Sequence, residues 1–261
     1  MTGRLVWIDC EMTGLDLGHD ALVEIACLVT DGELTMLDEG INLVIKPPPE
    51  AVDQMPDVVR EMHTRSGLLT ELNAGITIAE AQEQVLAYVR SHVPESKKVP
   101  LCGNSIATDR SFLARDMPEL DGFLHYRMVD VSSVKELARR WYPRAYFASP
   151  QKRGGHRALA DIRESIQELR YYREAVFVRP PGPDSAAARA IAARYGEPGP
   201  GPAAAAAAGS GGQAGTAAEP GKAAGAGTGV ASGTPAAGGT APAGGAAAAR
   251  GRSGSESGSA R

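Results

Sequence analysis

The sequence predicts an α/β fold in which a mixed sheet carries helices on its faces, and three observations predict it. Three apolar, β-branched-rich runs follow one another before residue 46, as in an antiparallel meander. From residue 77, segments of helical period alternate with short apolar runs, as parallel strands joined by helical crossovers would. After Val178 large apolar residues all but vanish, which ends the folded part.

Leu5–Asp9 is β-branched and aromatic and reads as the first strand, broken by Thr13-Gly14-Leu15-Asp16. Ala21–Thr30 is the second, ended by the turn signal Asp31-Gly32. Leu34–Leu37 and Ile41–Ile45 complete a three-stranded meander, closed by Pro47-Pro48-Pro49. Thr77 and Glu80 form a capping box opening a helix with Ile78, Ala81, Val85, Val89 and Val93 on one face. Val99–Cys102 is a strand running into the loop Gly103-Asn104-Ser105, and Phe112 and Leu113 belong to a short helix. Tyr126–Val131 is a further strand. Ser132–Trp141 is a helix capped by Ser132 or Ser133, and Arg157–Val178 is a long helix. The predicted order is β-β-β-α-β-α-β-α-α.

Residues 1–178 therefore form one domain, and 179–261 a disordered Ala/Gly/Pro-rich tail. The tail has too little apolar surface to offset the entropy of ordering, and is expected to act as a flexible appendage with no catalytic part. The domain holds 20 Lys and Arg against 27 Asp and Glu, the tail 7 against 4. A net-acidic domain lacks the broad basic footprint that a long polyanion needs, so any nucleic acid it handles is expected to be short. Cys10, Cys27 and Cys102 sit in apolar runs, an odd and irregular set that reads as free buried thiols rather than a disulfide framework. With no apolar stretch long enough to cross a membrane and carboxylates near the N-terminus where a signal peptide needs apolar residues, the expectation is a cytoplasmic protein.

The chemistry is carried by three short segments. In Asp9-Cys10-Glu11, strand periodicity puts both acids on one face at a strand end. Such close carboxylates repel unless a cation joins them, and hard oxygen ligands favour Mg²⁺ or Mn²⁺. Alone, the same pattern also fits solvated acids at a fraying strand end. Asp109 follows a strand and loop and opens a short helix, where an aspartate is equally a cap. His156 stands at a helix entrance after the mobile stretch Gly154-Gly155, with Asp161 in the helix's second turn; each is alternatively an ordinary surface residue. Together, Asp9, Glu11, Asp109 and Asp161 suggest two-metal phosphodiester hydrolysis, and His156 has the chemistry of a general base.

The words around these residues are WIDCEMTGLD at Trp7–Asp16, CGNSIATDRSFL at Cys102–Leu113, HYRMVDVSSVKELARRW at His125–Trp141 and HRALADIRESIQELRYYRE at His156–Glu174. In four blocks of matching order and spacing, over residues 4–177, the chain closely resembles the oligoribonuclease family of DEDDh 3′→5′ exonucleases. The resemblance implies a ribonuclease H-like fold and hydrolysis of short oligoribonucleotides, dinucleotides above all, to nucleoside 5′-monophosphates. It implies two divalent cations on Asp9, Glu11, Asp109 and Asp161, with His156 as the base. It implies that Leu15 wedges between two bases and His63 stacks on one. Ser105, Ser132 and Arg127 would cap the 5′ end, with Tyr126 close by and Asn104 among the substrate contacts. It also implies a homodimer in which Tyr126 and Arg127 reach the neighbouring site. The chain departs from some relatives at Pro56–Arg60, where Val58 stands in place of an aromatic that helps hold a base. The competing expectations are an exonuclease of the same chemistry that trims longer RNA or DNA 3′ ends, which should carry basic patches, and a non-catalytic module binding short nucleotides, which should lack an acid or the histidine.

Overall fold

The computed structural model describes residues 3–151 and 155–196, all within one unit spanning Met1–Glu197. Five strands form one sheet: β1 (Leu5–Met12), β2 (Leu22–Thr30), β3 (Ile41–Val44), β4 (Pro100–Gly103) and β5 (His125–Asp130). Their spatial order is β3-β2-β1-β4-β5. The pairs β3–β2 and β2–β1 are antiparallel, whereas β1–β4 and β4–β5 are parallel. The expected mixed sheet is thus found, with β1 at its centre. Leu34–Leu37 is no strand; Met36 makes one isolated antiparallel bridge to Thr30.

Side chains alternate along the central strand, and the two faces bury different helices. Val6, Ile8 and Cys10 pack with Val85 and Val89 of α4 (Ile78–His92), and with Phe112 and Leu113 of α5 (Ala107–Asp116). Trp7 faces the other way, toward Val131 of α7 (Val131–Trp141) and Ile162 and Ile166 of α9 (Ala158–Ala175). Asp9 and Glu11 continue the Trp7 row by strand alternation, toward the N-terminus of α9. The capping box of α4 forms as expected: Thr77 Oγ1 accepts from the Glu80 N–H at 3.2 Å, and the Thr77 N–H donates to Glu80 Oε2 at 2.9 Å.

The sequence pattern concealed several short helices. Three precede α4: α1 (Pro49–Asp53), α2 (Asp57–Arg65) and α3 (Leu68–Glu71). Two more follow β4: α6 (Pro118–Phe123) and α8 (Pro143–Phe147). Prolines interrupt the apolar period here, yet Pro49, Pro118 and Pro143 each open a helix, because the first turn needs no N–H from them. The cap of α7 is Asp130, not Ser132 or Ser133: its Oδ1 accepts from the Ser132 N–H at 2.8 Å, which leaves the Ser132 hydroxyl to other partners.

The segment from Arg179, expected to lack structure, forms α10 (Ser185–Ala192) within its first residues. Alanine is the best helix former, and the Asp184 side chain caps the helix by accepting from the Ala187 N–H at 2.7 Å. The rest of the expected tail, residues 197–261, and Gly154 of the expected mobile stretch lie outside the described residues. Among the described residues, buried apolar side chains all fall between Val6 and Tyr172. Residues 197–261 carry hardly any large apolar side chain to bury, so truncation after Gly196 is expected to move the melting temperature by no more than about 2 °C. Calorimetry of the two lengths checks this.

Candidate active site

Beyond the pairs Val6–Leu101 and Trp7–Cys102, β4 no longer accompanies β1. The sheet order places the switch in chain direction between β1 and β4, and open α/β sheets bind ligands outside the carboxyl ends of the strands at such a point. The Cys10 N–H is taken there by Asp109, whose Oδ1 accepts it at 2.9 Å. Asp109 is buried in the first turn of α5. Asp161 stands in the first turn of α9, one turn earlier than expected, where the positive end of the helix dipole favours a carboxylate. Ligating atoms of Glu11, His156 and Asp161 all lie within 4.8 Å of one another. The structure thus joins β1, the entrance of α9 and α9 itself at one point, with Asp9 and Asp109 on the neighbouring backbone.

Electrostatics sets what this cluster favours. Burial, then the charges of Asp161, Glu24 and Asp109, push the Glu11 carboxyl up from 4.5 to about 8, against a lowering by Arg157. Burial pushes Asp109 up to about 7, although the Cys10 amide opposes it. Acids held this far above their ordinary range favour protons or a cation, and an all-oxygen set with one nearby imidazole fits a hard divalent ion. The donors that the structure brings together, Glu11 and Asp161 with His156 beside them, therefore fit a divalent metal, whereas Asp109 gives one oxygen to the Cys10 amide.

His156 is exposed and has a backbone φ of +46°, and Ser105 has +51°. Both residues thus occupy the left-handed region, where a side chain costs roughly 1–2 kcal/mol and which clusters at functional sites. Ser105 meets Ser132 across the ends of β4 and β5: their hydroxyls are 3.1 Å apart, and the Ser105 N–H donates to Ser132 Oγ at 2.9 Å. Asn104 was expected among the substrate contacts, but both ends of its amide are engaged internally. Its Nδ2 donates to Ser165 Oγ at 2.7 Å, and its Oδ1 accepts from the Ser132 hydroxyl at 3.1 Å, so it holds the serine pair in place.

Leu15 is 75% exposed at the tip of a closed loop. Thr13 and Ala21 pair at the loop's base (2.9 Å), and Asp20 accepts from the Thr13 hydroxyl and the Asp16 N–H at 2.8 Å each. A Cβ on Gly14 would meet Asp20 Oδ2 at 2.3 Å, so a side chain there would displace the carboxylate that braces the loop. Val58, 74% exposed, lines a 390 Å³ cavity with Met62, Gly155 and His156, so the substitution noted in the sequence does lie beside the site.

His63 corrects the expectation of a base-stacking ring. It lies on α2 and is fully enclosed, donating through Nε2 to the Met12 carbonyl at 2.8 Å, with Nδ1 4.0 Å from Glu11 Oε2. Neither ring face is open; the ring braces the end of β1 instead. Tyr126 and Arg127 lie exposed on β5, which is an edge strand, with Arg127 Nε donating to the Tyr126 hydroxyl at 3.2 Å. Sequence reasoning missed Glu24, a fully buried acid on β2 directly opposite Glu11. Its signal was a lone charge inside the apolar run Ala21–Thr30.

A central mixed sheet with converging acids and a histidine at its carboxyl edge is the arrangement of a metal-using exonuclease. The family model described as Exonuclease (RNase_T) matches residues 6–169. The chain is 70% identical over 195 residues to an oligoribonuclease of Streptomyces coelicolor, an alignment covering 75% of this chain and 98% of that one. It is 62% identical over 191 residues to an oligoribonuclease of Cutibacterium acnes, covering 73% and 95%. The chain belongs to the oligoribonuclease family and, as a member, is a 3′→5′ exoribonuclease. Among solved structures, the fold resembles that of a zinc-bound Escherichia coli exonuclease I complex with single-stranded DNA (TM-score 0.51, 15% identity), covering 67% of this chain and 41% of that one.

The raised acids have a consequence for stability. A carboxyl whose folded pKa exceeds its unfolded value binds more protons when folded, so its contribution is lost as pH rises toward the folded pKa. In chelator, the melting temperature is expected to fall between pH 5 and 8 as Glu11 and Asp109 ionise. Excess Mn²⁺ should restore more stability at pH 8 than at pH 5, because the ion competes with protons for the same oxygens. A chelated protein with no such decline would show that these acids are already balanced.

Proposed function

We propose that this exoribonuclease hydrolyses dinucleotides and other very short oligoribonucleotides to nucleoside 5′-monophosphates, in the cytoplasm, as the last step of RNA turnover. The observation that carries the reading is the meeting of Glu11, Asp161 and His156 within 4.8 Å at the carboxyl edge of the strands. Asp9, Glu11, Asp109 and Asp161 would hold two divalent ions, Mg²⁺ or Mn²⁺. When bound, such ions neutralise the carboxylates and stabilise charge on the attacking and leaving oxygens of an in-line displacement. A ring nitrogen of His156 takes the proton of the attacking water. Leu15, displayed by its braced loop, wedges between the two bases of the substrate. An apolar wedge reads no base edge, so it tolerates all four bases.

Substrate length is limited by the far end of the site. Ser105 and Ser132 present hydroxyls where the 5′ phosphate of a dinucleotide would arrive. Tyr126 lies four residues before the end of β5, in the stretch where the pairing with β4 jumps from Pro100–His125 to Leu101–Met128, and so is set back along the strand from those serines. The Tyr126–Arg127 pair therefore suits a neighbouring site better than its own, and a second copy would supply it. The exposed apolar side chains Met128, Leu137 and Trp141 on β5 and α7 support such a homodimer. Arg and hydroxyl donors closed around a terminal phosphate leave a longer chain no exit, which selects by length rather than sequence. The acidic domain fits a small enclosed site. No helix among the described residues is long and apolar enough to cross a membrane, and three buried free thiols suit a reducing compartment.

The test is a length series. Labelled RNAs from two to about twenty nucleotides, met with Mn²⁺ or Mg²⁺ and then with chelator, should show fast metal-dependent cleavage of the dinucleotide and slow attack on the longest. Equal or faster trimming of long RNA or DNA would assign a longer-substrate exonuclease; no cleavage at any length would assign a binding module. His156→Ala should lower kcat by about 10²- to 10⁴-fold, the usual worth of a general base, while leaving dinucleotide affinity near wild type. Mixing two inactive proteins, Asp9→Ala and Arg127→Ala, should regain activity through hybrid dimers. Failure to regain any would place Arg127 in its own subunit's site or outside both.

A further inference from the structure

The residue after His156 is held between two carboxylates. Arg157 uses all three guanidinium nitrogens. Its Nε and Nη2 reach Glu24 Oε1 at 2.9 and 2.8 Å, its Nη1 reaches Glu71 Oε1 at 3.0 Å, and its Nη2 reaches Glu71 Oε2 at 2.9 Å. Glu24 is fully buried and accepts two further bonds: Asn42 Nδ2 donates to its Oε1 at 2.8 Å, and the Ala158 N–H donates to its Oε2 at 2.9 Å. One carboxylate thus caps the first turn of α9 and grips the side chain at its N-cap position. Glu24 is also the strand partner of Glu11 in the β1–β2 register. Glu71 ends α3, the helix that follows the one carrying His63.

The clamp connects three parts of the site by rigid pieces. It fixes the start of the helix that carries Asp161 against the strand neighbour of Glu11. It stops the backbone at 157, one residue past an imidazole whose own φ is left-handed and whose side chain is exposed. Among the described residues the His156 side chain makes no hydrogen bond, so the position of its ring follows from where residue 157 is held. A planar fork with donors on both edges satisfies two carboxylates at once; an ammonium cannot.

We propose that Arg157, gripped between Glu24 and Glu71, is the positioning residue for His156: it sets the imidazole relative to Glu11 and Asp161 without touching substrate. This rests on the reading of His156 as the base.

Two gentle variants test it. Glu71→Gln alters a half-exposed partner, and Arg157→Lys keeps a cation beside Glu24, so both should fold, with melting measured alongside. Each is expected to lower kcat on a dinucleotide about 10- to 100-fold with KM within about twofold, the signature of a misplaced reacting group rather than lost binding. In a His156→Ala background neither should cost anything more, because a residue that acts through the imidazole has nothing left to position. In protein labelled at histidine, the His156 ring resonance should move in Glu71→Gln while that of His92 stays. A kcat within about twofold of the parent in both variants, or the same loss with and without His156, would overturn the proposal. If His156→Ala itself left the rate near wild type, the base reading would fall, and the His156 resonance would still decide whether Arg157 positions the ring: an unmoved resonance overturns that too.

Discussion

The mutual repulsion of acids gathered at the end of β1 is the constraint on which the rest of this structure depends. Burial first, and then the charges of Asp161, Glu24 and Asp109, raise Glu11 to about 8. Burial and like charge push in the same direction, so the cluster opposes folding in its ionised form unless something positive enters. A chain that maintains such a cluster must hold it rigidly, since relaxation would otherwise spread the carboxylates into water. Rigidity comes from placing them on the central strand, which is paired with β2 along its whole length and packed by helices on both faces. It comes also from helix ends: α5 and α9 each present an aspartate from the first turn.

Two acids on adjacent strands at the same register have been given opposite partners. Glu11 is left to the site, whereas Glu24 opposite it is compensated by Arg157, Asn42 and the Ala158 N–H. The difference separates an uncompensated carboxylate at the metal-ligand cluster from a compensated one on the neighbouring strand. Glu24 is fully buried, so losing Arg157 would leave a buried carboxylate without its cation, which makes Arg157 a fixed point of the fold as well as of the site. His63 and Asn104 belong to the same supporting layer, one bracing the Met12 carbonyl and the other the Ser132 hydroxyl.

Much of this was legible in the chain because strand alternation and helix period are local. The Asp9–Glu11 spacing, the capping box at Thr77 and the long helix behind His156 were readable from neighbours alone. The helices around Pro49, Pro56 and Pro118 were not, since proline hides the apolar period at the very place where it starts a helix. Burial was harder still. Nothing in the segment around His63 distinguishes an exposed ring from one enclosed beneath β1, because the enclosing atoms lie 51 residues away. Asp130 rather than a serine caps α7 for the same reason: the Ser132 hydroxyl is taken by Ser105 and Asn104 on the loop after β4. Glu24 was visible as a charge in an apolar run, but its partner Arg157 is 133 residues distant and only the sheet brings them together.

The central claim is that acids at the end of β1 hold protons until a divalent cation replaces them. It is tested most directly by titrating Mn²⁺ into chelated protein near pH 7, by calorimetry in buffers of different ionisation heat. That series counts the protons released as the ion binds. Wild type should release protons on binding, and Glu11→Gln should release fewer while keeping the fold. Mn²⁺ binding with no proton release from wild type would contradict the account, because the carboxylates would then already be ionised without a cation to balance them.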